Sequence, residues 1–274
     1  MSTFFIQLAE AMRYAFIQRA LLAGSFIAVC CAFLGVYLVL RRFALIGEGL
    51  AHVCFGTIGL ALLLNAAPMA VSIPLVLLAA LAILSLSEKT TVCGDAAIGL
   101  LASLGIALGV LFASLGGGFN VDLFSYLFGN ILAISTGEVL FSIGLSLAVI
   151  LVILLFYHDL FAITFDEDYA TVLGIKTRWI NKMLIMCTAL TIVLGIKVVG
   201  ALLVSSLIIF PSVTALQVAR GFKSTLIFAA LFSVMSVILG ICISYLLDLP
   251  AGATIVLVNA VFFCIAFIVR HIRG

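Results

Sequence analysis

GVYLVLRRFALIGEGLAHVCFG, residues 35–56, decides the class of this chain. An apolar run ends on Arg41 and Arg42, and a second begins at once with Glu48 and His52 as its only ionisable groups. Four residues apart, these two share one helix face. An ionisable side chain at the centre of a bilayer helix costs about 2.5–3.5 kcal/mol on insertion scales, so such groups mark functional sites that face a polar interior. Carboxylate oxygen and imidazole nitrogen suit zinc and other divalent transition metals. The plainer alternative is a Glu–His hydrogen bond that fixes one helix against another.

Outward from that stretch the chain stays apolar. Hydrophobic residues make up 66% of 274 and charged residues 9%, with a mean hydropathy of +1.46. That composition is a polytopic membrane protein of all-α class, embedded in a lipid bilayer. A formal charge of +2 without a basic stripe leaves no nucleic-acid partner. The cysteines at 30, 31, 54, 93, 187, 242 and 264 follow neither CxxC nor secreted-domain spacing and read as small residues of the apolar interior. With four prolines and no low-complexity segment, residues 1–274 form a single integral membrane domain.

Runs long enough to cross about 30 Å of hydrocarbon fall at 14–40, 44–65, 69–86, 96–116, 138–157, 181–198, 200–219, 224–246 and 252–269. About nine transmembrane helices are therefore expected. The run at 122–135, with Asp122 and Asn130, is too short to span and reads as a short outer or re-entrant helix. If the loop after the first span is cytoplasmic, Arg41, Arg42, Lys89, Lys176, Arg178, Lys182, Arg220, Lys223, Arg270 and Arg273 share that face, and only Arg13, Arg19 and Lys197 lie opposite. The N-terminus is then extracytoplasmic and the C-terminus cytoplasmic. The first twelve residues lack a basic signal-peptide region, so no cleavage is expected.

The longest cytoplasmic segment, 158–180, holds Asp166, Glu167 and Asp168, then Tyr169, Val172 and Leu173, then Gly174 with Lys176 and Arg178 beyond. It reads as a short amphipathic helix, a glycine turn and a new helix start. A folded loop with so little other cytoplasmic mass calls for a partner; the alternative is an ordinary solvated loop.

Other polar residues carry plainer meanings. Ser205, Ser206, Ser212, Thr214 and Asn259 are expected to bond between helices. Pro211 kinks its span or serves a gate. Asp122 and Glu138 flank the outer helix as solvated loop acids or cation-attracting outer-face groups. His158 and His271 sit at cytoplasmic edges. Gly116, Gly117 and Gly118 form a turn, and no GxxxxGK[ST] occurs, so the chain is not an enzyme that hydrolyses ATP. An intramembrane zinc protease would need HExxH, which is absent. A secondary cation transporter would need no ATPase and would leave 166–178 without a purpose.

QRALLAG (18–24), the opening stretch 35–56, DAAIGLLASLGIALGV (95–110), VDLFSYLFGNILAIS (121–135) and VVGALLVSSLIIFPSVTA (198–215) together resemble the zinc/manganese/iron permease family of ABC transporters. That family is similar to the cobalamin and iron-siderophore permeases, whose fold is therefore expected. There the segment resembling DEDYATVLGIKTR (166–178) seats in the ATPase. The resemblance implies a homodimer in a bacterial cytoplasmic membrane, two ABC ATPase subunits and an extracytoplasmic metal-binding protein. It also implies alternating-access import of a divalent metal, zinc first, with manganese or ferrous iron as alternatives, and no permanently bound cofactor. The family commonly carries Asp where Glu48 stands, while its His matches His52. Four ligands, Glu48 and His52 from each copy, would suffice for a tetrahedral site.

Overall fold

Inside a bilayer every backbone N–H and C=O must find a partner within its own segment, so apolar runs fold as helices. The computed structural model describes residues 14–89, 94–116 and 135–273, and every regular element there is helical. In chain order these are α1 (Ala15–Leu40), α2 (Ile46–Leu63), α3 (Pro68–Lys89), α4 (Gly94–Leu115), α5 (Thr136–Leu155), α6 (Tyr157–Phe165), α7 (Glu167–Val172), α8 (Thr177–Val199), α9 (Ala201–Val218), α10 (Phe222–Leu247) and α11 (Ala251–Arg273). Eight of them, α1 to α5, α8, α10 and α11, are long and apolar enough to cross a membrane. The shorter apolar α9 packs against α1, α10 and α11 and stands where a further span was expected. The expected outer helix at 122–135 lies outside the described residues, apart from Ser135.

Hydropathy misplaced two boundaries by a full turn, the start expected at 181 and the end expected at 269, where α11 runs on to Arg273. The span expected from 181 begins at Thr177, because its first turn carries Arg178 and Asn181 and continues as helix beyond the apolar slab. A hydropathy window reports the bilayer, not where hydrogen bonding starts.

Burial separates an inner set of helices from an outer one. In the spanning windows, 67% of α1 and α8 and 61% of α2 is buried, against 28% of α3, α4, α5 and α11. The outer helices present side chains such as Leu104, Leu151 and Phe267 outward, as lipid permits. Lipid tails are as apolar as leucine, so helices hold together by close packing and hydrogen bonds rather than by escape from water. Ser233 Oγ donates to the Ala28 carbonyl at 2.9 Å, joining α10 to α1. Ser236 Oγ donates to Asn259 Oδ1 at 2.7 Å, joining α10 to α11. Ser212 Oγ lies 3.4 Å from the Ala32 carbonyl and 2.8 Å from that of Ile208. The expected interhelical role thus holds for Asn259 and Ser212. Ser206 instead bonds the Leu203 carbonyl of its own helix, and Thr214 Oγ1 has no partner among the described residues. Cys30, Cys31 and Cys54 are buried free thiols.

Candidate functional site

The end of α1 places the Glu48–His52 pair. Its last turn closes with Arg42 N–H on the Val39 carbonyl at 3.1 Å and Phe43 N–H on the Leu38 carbonyl at 2.8 Å, the paired bonds of a Schellman turn. Arg42 occupies the left-handed position of that turn, at φ 61°, where glycine is usual. Three residues later α2 starts, so Glu48 lies in its first turn. The pair lies near a helix start, in keeping with the span expected from 44, and there backbone N–H groups favour a carboxylate. The Glu48 side chain is 55% exposed and that of His52 29%, so within one chain neither is sunk in the bundle.

His52 Nε2 lies 3.8 Å from Glu48 Oε1, beyond hydrogen-bond length. Both groups belong to one helix, so the pair does not pin two helices together. Bonds of about 2.0–2.1 Å at a tetrahedral angle would set two ligand atoms about 3.3 Å apart, and a small rotation of either side chain reaches that. Among the described residues no cluster of three or more His, Cys, Asp or Glu side chains occurs. One copy therefore brings together two candidate donor groups, half the number a tetrahedral ion would take.

Two glycines hold this pair in place. A Cβ on Gly105 of α4 would lie 2.6 Å from the His52 carbonyl oxygen and 2.7 Å from Val53 Cα. A Cβ on Gly56 would lie 2.6 Å from the Gly105 carbonyl oxygen. The α2 and α4 backbones thus touch beside the histidine, fixing its height on the face. The Gly105–x–x–x–Gly109 spacing was the available signal.

The second polar region is the α6–α7 segment. Asp166 Oδ1 accepts the Tyr169 N–H at 2.8 Å and caps α7. Gly174 N–H bonds the Thr171 carbonyl at 3.0 Å and Ile175 N–H the Ala170 carbonyl at 3.1 Å. Gly174 takes φ 84° with open space around it, a turn that any side chain would strain. Glu167, expected in the segment that seats in the ATPase, has both carboxylate oxygens bonded within the chain. Its Oε2 accepts from Arg41 Nη2 at 2.8 Å and its Oε1 from Asn181 Nδ2 at 2.7 Å, while Arg41 Nη1 donates to Asn181 Oδ1 at 2.7 Å. The sequence marked Arg41 only as a cytoplasmic base and did not mark Asn181, since these contacts span 126 and 140 residues. Asp168 and Arg178 are exposed, and Lys176 precedes the first turn of α8.

Apolar surface at this end is conspicuous. Val172 is 84% exposed and Leu173 58%, beside a groove of about 500 Å³ lined by Phe156, Asp159, Leu173, Lys176 and Trp179. On the other flank Phe222 packs against Tyr37, Tyr157, Phe161 and Phe165. Burial raises the Tyr157 phenol above its usual range. The ten-to-three segregation of bases expected from the sequence has a structural counterpart: Arg41 reaches α7 and α8, Lys223 lies over Tyr157 and Arg270 donates to Gln217 Oε1, so these bases gather at one end.

Glu138 is not a solvated loop acid. It completes a capping box with Ser135 at the start of α5 and pairs with Lys197 at the end of α8. Pro211 lies inside α9 and removes the N–H that the Leu207 carbonyl would receive. Asp122 lies outside the described residues. His158 packs on the Tyr157 ring, and His271 is exposed in the last turn of α11.

Comparison with known proteins fits this geometry. The ABC 3 transport family matches residues 13–270. The chain is 34% identical over 272 residues to a manganese transport system membrane protein of Halalkalibacterium halodurans, covering 99% of this chain and 92% of that one. It is 34% identical over 281 residues to a chelated iron transport system membrane protein of Yersinia pestis, covering 100% and 92%. It is also 34% identical over 253 residues to a high-affinity zinc uptake system membrane protein of Haemophilus influenzae, covering 92% and 97%. A chain of PsaBC from Streptococcus pneumoniae, solved in complex with Fab, superposes with a TM-score of 0.85 at 29% identity, covering 97% of this chain and 95% of that one. An inward-facing metal-chelate type ABC transporter shares the fold, with a TM-score of 0.77 at 17% identity over 94% of this chain and 87% of that one.

Proposed function

This chain belongs to the ABC 3 transport family and is the permease of a metal-ion ABC importer, and from that premise we propose that zinc is its cargo and that two copies share the ion between their Glu48 and His52 side chains. One observation carries the proposal: a carboxylate and an imidazole 3.8 Å apart on an accessible helix face, with no third ligand among the described residues. A half-shell on an accessible face is completed by a second copy, giving two oxygens and two nitrogens around one ion. Without thiolate the shell is one an ion can leave, as transport requires.

Manganese is the second cargo to weigh, because relatives at the same 34% identity are named for manganese, chelated iron and zinc. The ligand set itself accepts any of these divalent ions, while imidazole shifts the balance toward zinc.

The remaining parts follow from the same premise. ATP is hydrolysed by separate subunits that receive the exposed Val172–Leu173 knob of α7. An extracytoplasmic binding protein delivers the ion to the opposite end, where Glu138 and Lys197 lie. The basic end faces the cytoplasm, placing the N-terminus outside and the C-terminus inside a bacterial cytoplasmic membrane. ATP-driven closure then alternates access to the shared site. The test is uptake into proteoliposomes holding the permease with its ATPase. ATP-dependent zinc entry that His52→Ala abolishes is the expected result. Parental zinc entry in that variant, or manganese entry that excess zinc leaves unchanged, would overturn the site or the cargo respectively.

A further inference from the structure

Between the docking element and the metal-bearing helix stands a charged joint that the import mechanism has not yet used. Arg41 is the residue on which α1 ends, and its side chain is only 11% exposed. A guanidinium so enclosed needs fixed acceptors, and its planar fork finds two: Glu167 on α7 at 2.8 Å and Asn181 on α8 at 2.7 Å. Asn181 also donates to the second Glu167 oxygen at 2.7 Å, so the three side chains close a ring. The ring leaves Glu167 both oxygens engaged, and a displacement of α7 must either carry Arg41 along or break charge-assisted bonds.

Arg41 is in turn tightly joined to the site. The Schellman turn at Val39–Phe43 leaves no slack between α1 and α2, and Ile46 N–H bonds the Phe43 carbonyl at 3.1 Å as α2 begins. Glu48 follows in that first turn. A second joint between the α6–α7 segment and the bundle, Phe222 of α10 among Tyr37 of α1 and Tyr157, Phe161 and Phe165 of α6, is apolar and nondirectional. The polar joint, with its fixed directions, is the one that grips the residue on which α1 ends.

We propose that Arg41, held by Glu167 and Asn181, is the positioning residue through which movement of α7 sets the first turn of α2 and so the Glu48–His52 geometry. The proposal rests on α7 being the ATPase docking element, and the experiment separates the two. Arg41→Lys keeps the charge but replaces the planar fork, whose two nitrogens each hold one acceptor in a fixed direction, by a single rotatable ammonium. The variant and its parent are reconstituted with the ATPase, and three quantities are read: ATPase copurification, zinc moved per ATP hydrolysed, and ATP-induced change in hydrogen exchange over 44–50 against 167–173.

Expected for Arg41→Lys is parental copurification and an intact exchange response at 167–173. The response at 44–50 should vanish, and zinc per ATP should fall about tenfold, the scale of one lost charge-assisted hydrogen bond. A parental zinc-to-ATP ratio, or a surviving response at 44–50, overturns the role of Arg41. Loss of the ATPase also overturns it, since the ring would then merely shape the docking surface. If Arg41→Lys does not accumulate, Glu167→Ala decides by the same readouts, because it leaves Arg41 and Asn181 to bond each other and removes both bonds to α7. Failure of the docking premise shows separately, as parental copurification in Leu173→Asp.

Discussion

The start of α2 and the short α7 are both polar islands in an apolar bundle, and they dispose of their charges in opposite ways. In α7, Asp166 caps its helix and Glu167 accepts from Arg41 and Asn181. In α2, Glu48 and His52 stand 3.8 Å apart on an accessible face, too far for a hydrogen bond. A charge whose bonds are complete within the chain builds shape, and one whose bonds are incomplete is free to meet a ligand. The acidic triplet at 166–168 looks more like a binding site in sequence, yet its central residue is already spoken for.

The contrast breaks most directly at the ligands. His52→Ala and Glu48→Gln should each cut ATP-dependent zinc uptake by roughly 100-fold or more, since even residues that only orient metal ligands cost about 10- to 100-fold. Membrane abundance should be unchanged, and Glu48→Asp should retain uptake. Radioactive zinc uptake with quantitative immunoblotting measures both, and parental uptake in His52→Ala would leave α2 with no claim on the metal.

Leu173→Asp tests the opposite island. Placing a carboxylate on an exposed apolar knob should cost about tenfold or more in ATPase affinity, as charges at an interface centre do, while thermal unfolding of the isolated permease stays parental. Copurification at fixed detergent concentration reads the first and a melting curve the second.

The glycines sharpen the difference between a packed and an open region. Gly105→Ala drives a Cβ to 2.6 Å from the His52 carbonyl oxygen and should destabilise by about 1–3 kcal/mol through overpacking, lowering Tm and weakening zinc uptake together. Gly174→Ala meets nothing but must hold φ near 84°, a penalty of about 1 kcal/mol. Gly174→Asn should be milder, because asparagine tolerates that conformation. If Gly105→Ala proves as mild as Gly174→Ala, α2 and α4 do not set the height of His52.

Some of this was legible in the chain. Long apolar runs announced the helices, and the one-sided Lys and Arg pattern matched the end where Arg41, Lys223 and Arg270 make their contacts. The α7 turn was visible because Gly174 is local chemistry: a helix, a left-handed residue and a new start within eleven residues. Glu138 was misread as a loop acid, because its capping role depends on where α5 begins and its ion pair on Lys197, 59 positions away. Its Ser135–Glu138 spacing was the signal that could have corrected this. Glu48 fared better: the span expected from 44 begins within two residues of Ile46, where α2 starts.

What the sequence by itself determined is an all-helical membrane chain, because a backbone in lipid must satisfy its hydrogen bonds locally and apolar length measures the bilayer. Helix periodicity likewise put Glu48 and His52 on one face, since a four-residue spacing is local geometry. Only the tertiary structure decided that Glu167 is consumed by Arg41 and Asn181, that Gly56 and Gly105 let α2 and α4 touch beside His52, and that no third His, Cys, Asp or Glu joins Glu48 and His52 among the described residues. Those facts depend on groups brought together from distant stretches of the chain or on surface left uncovered after packing, and neither is a property of any one segment.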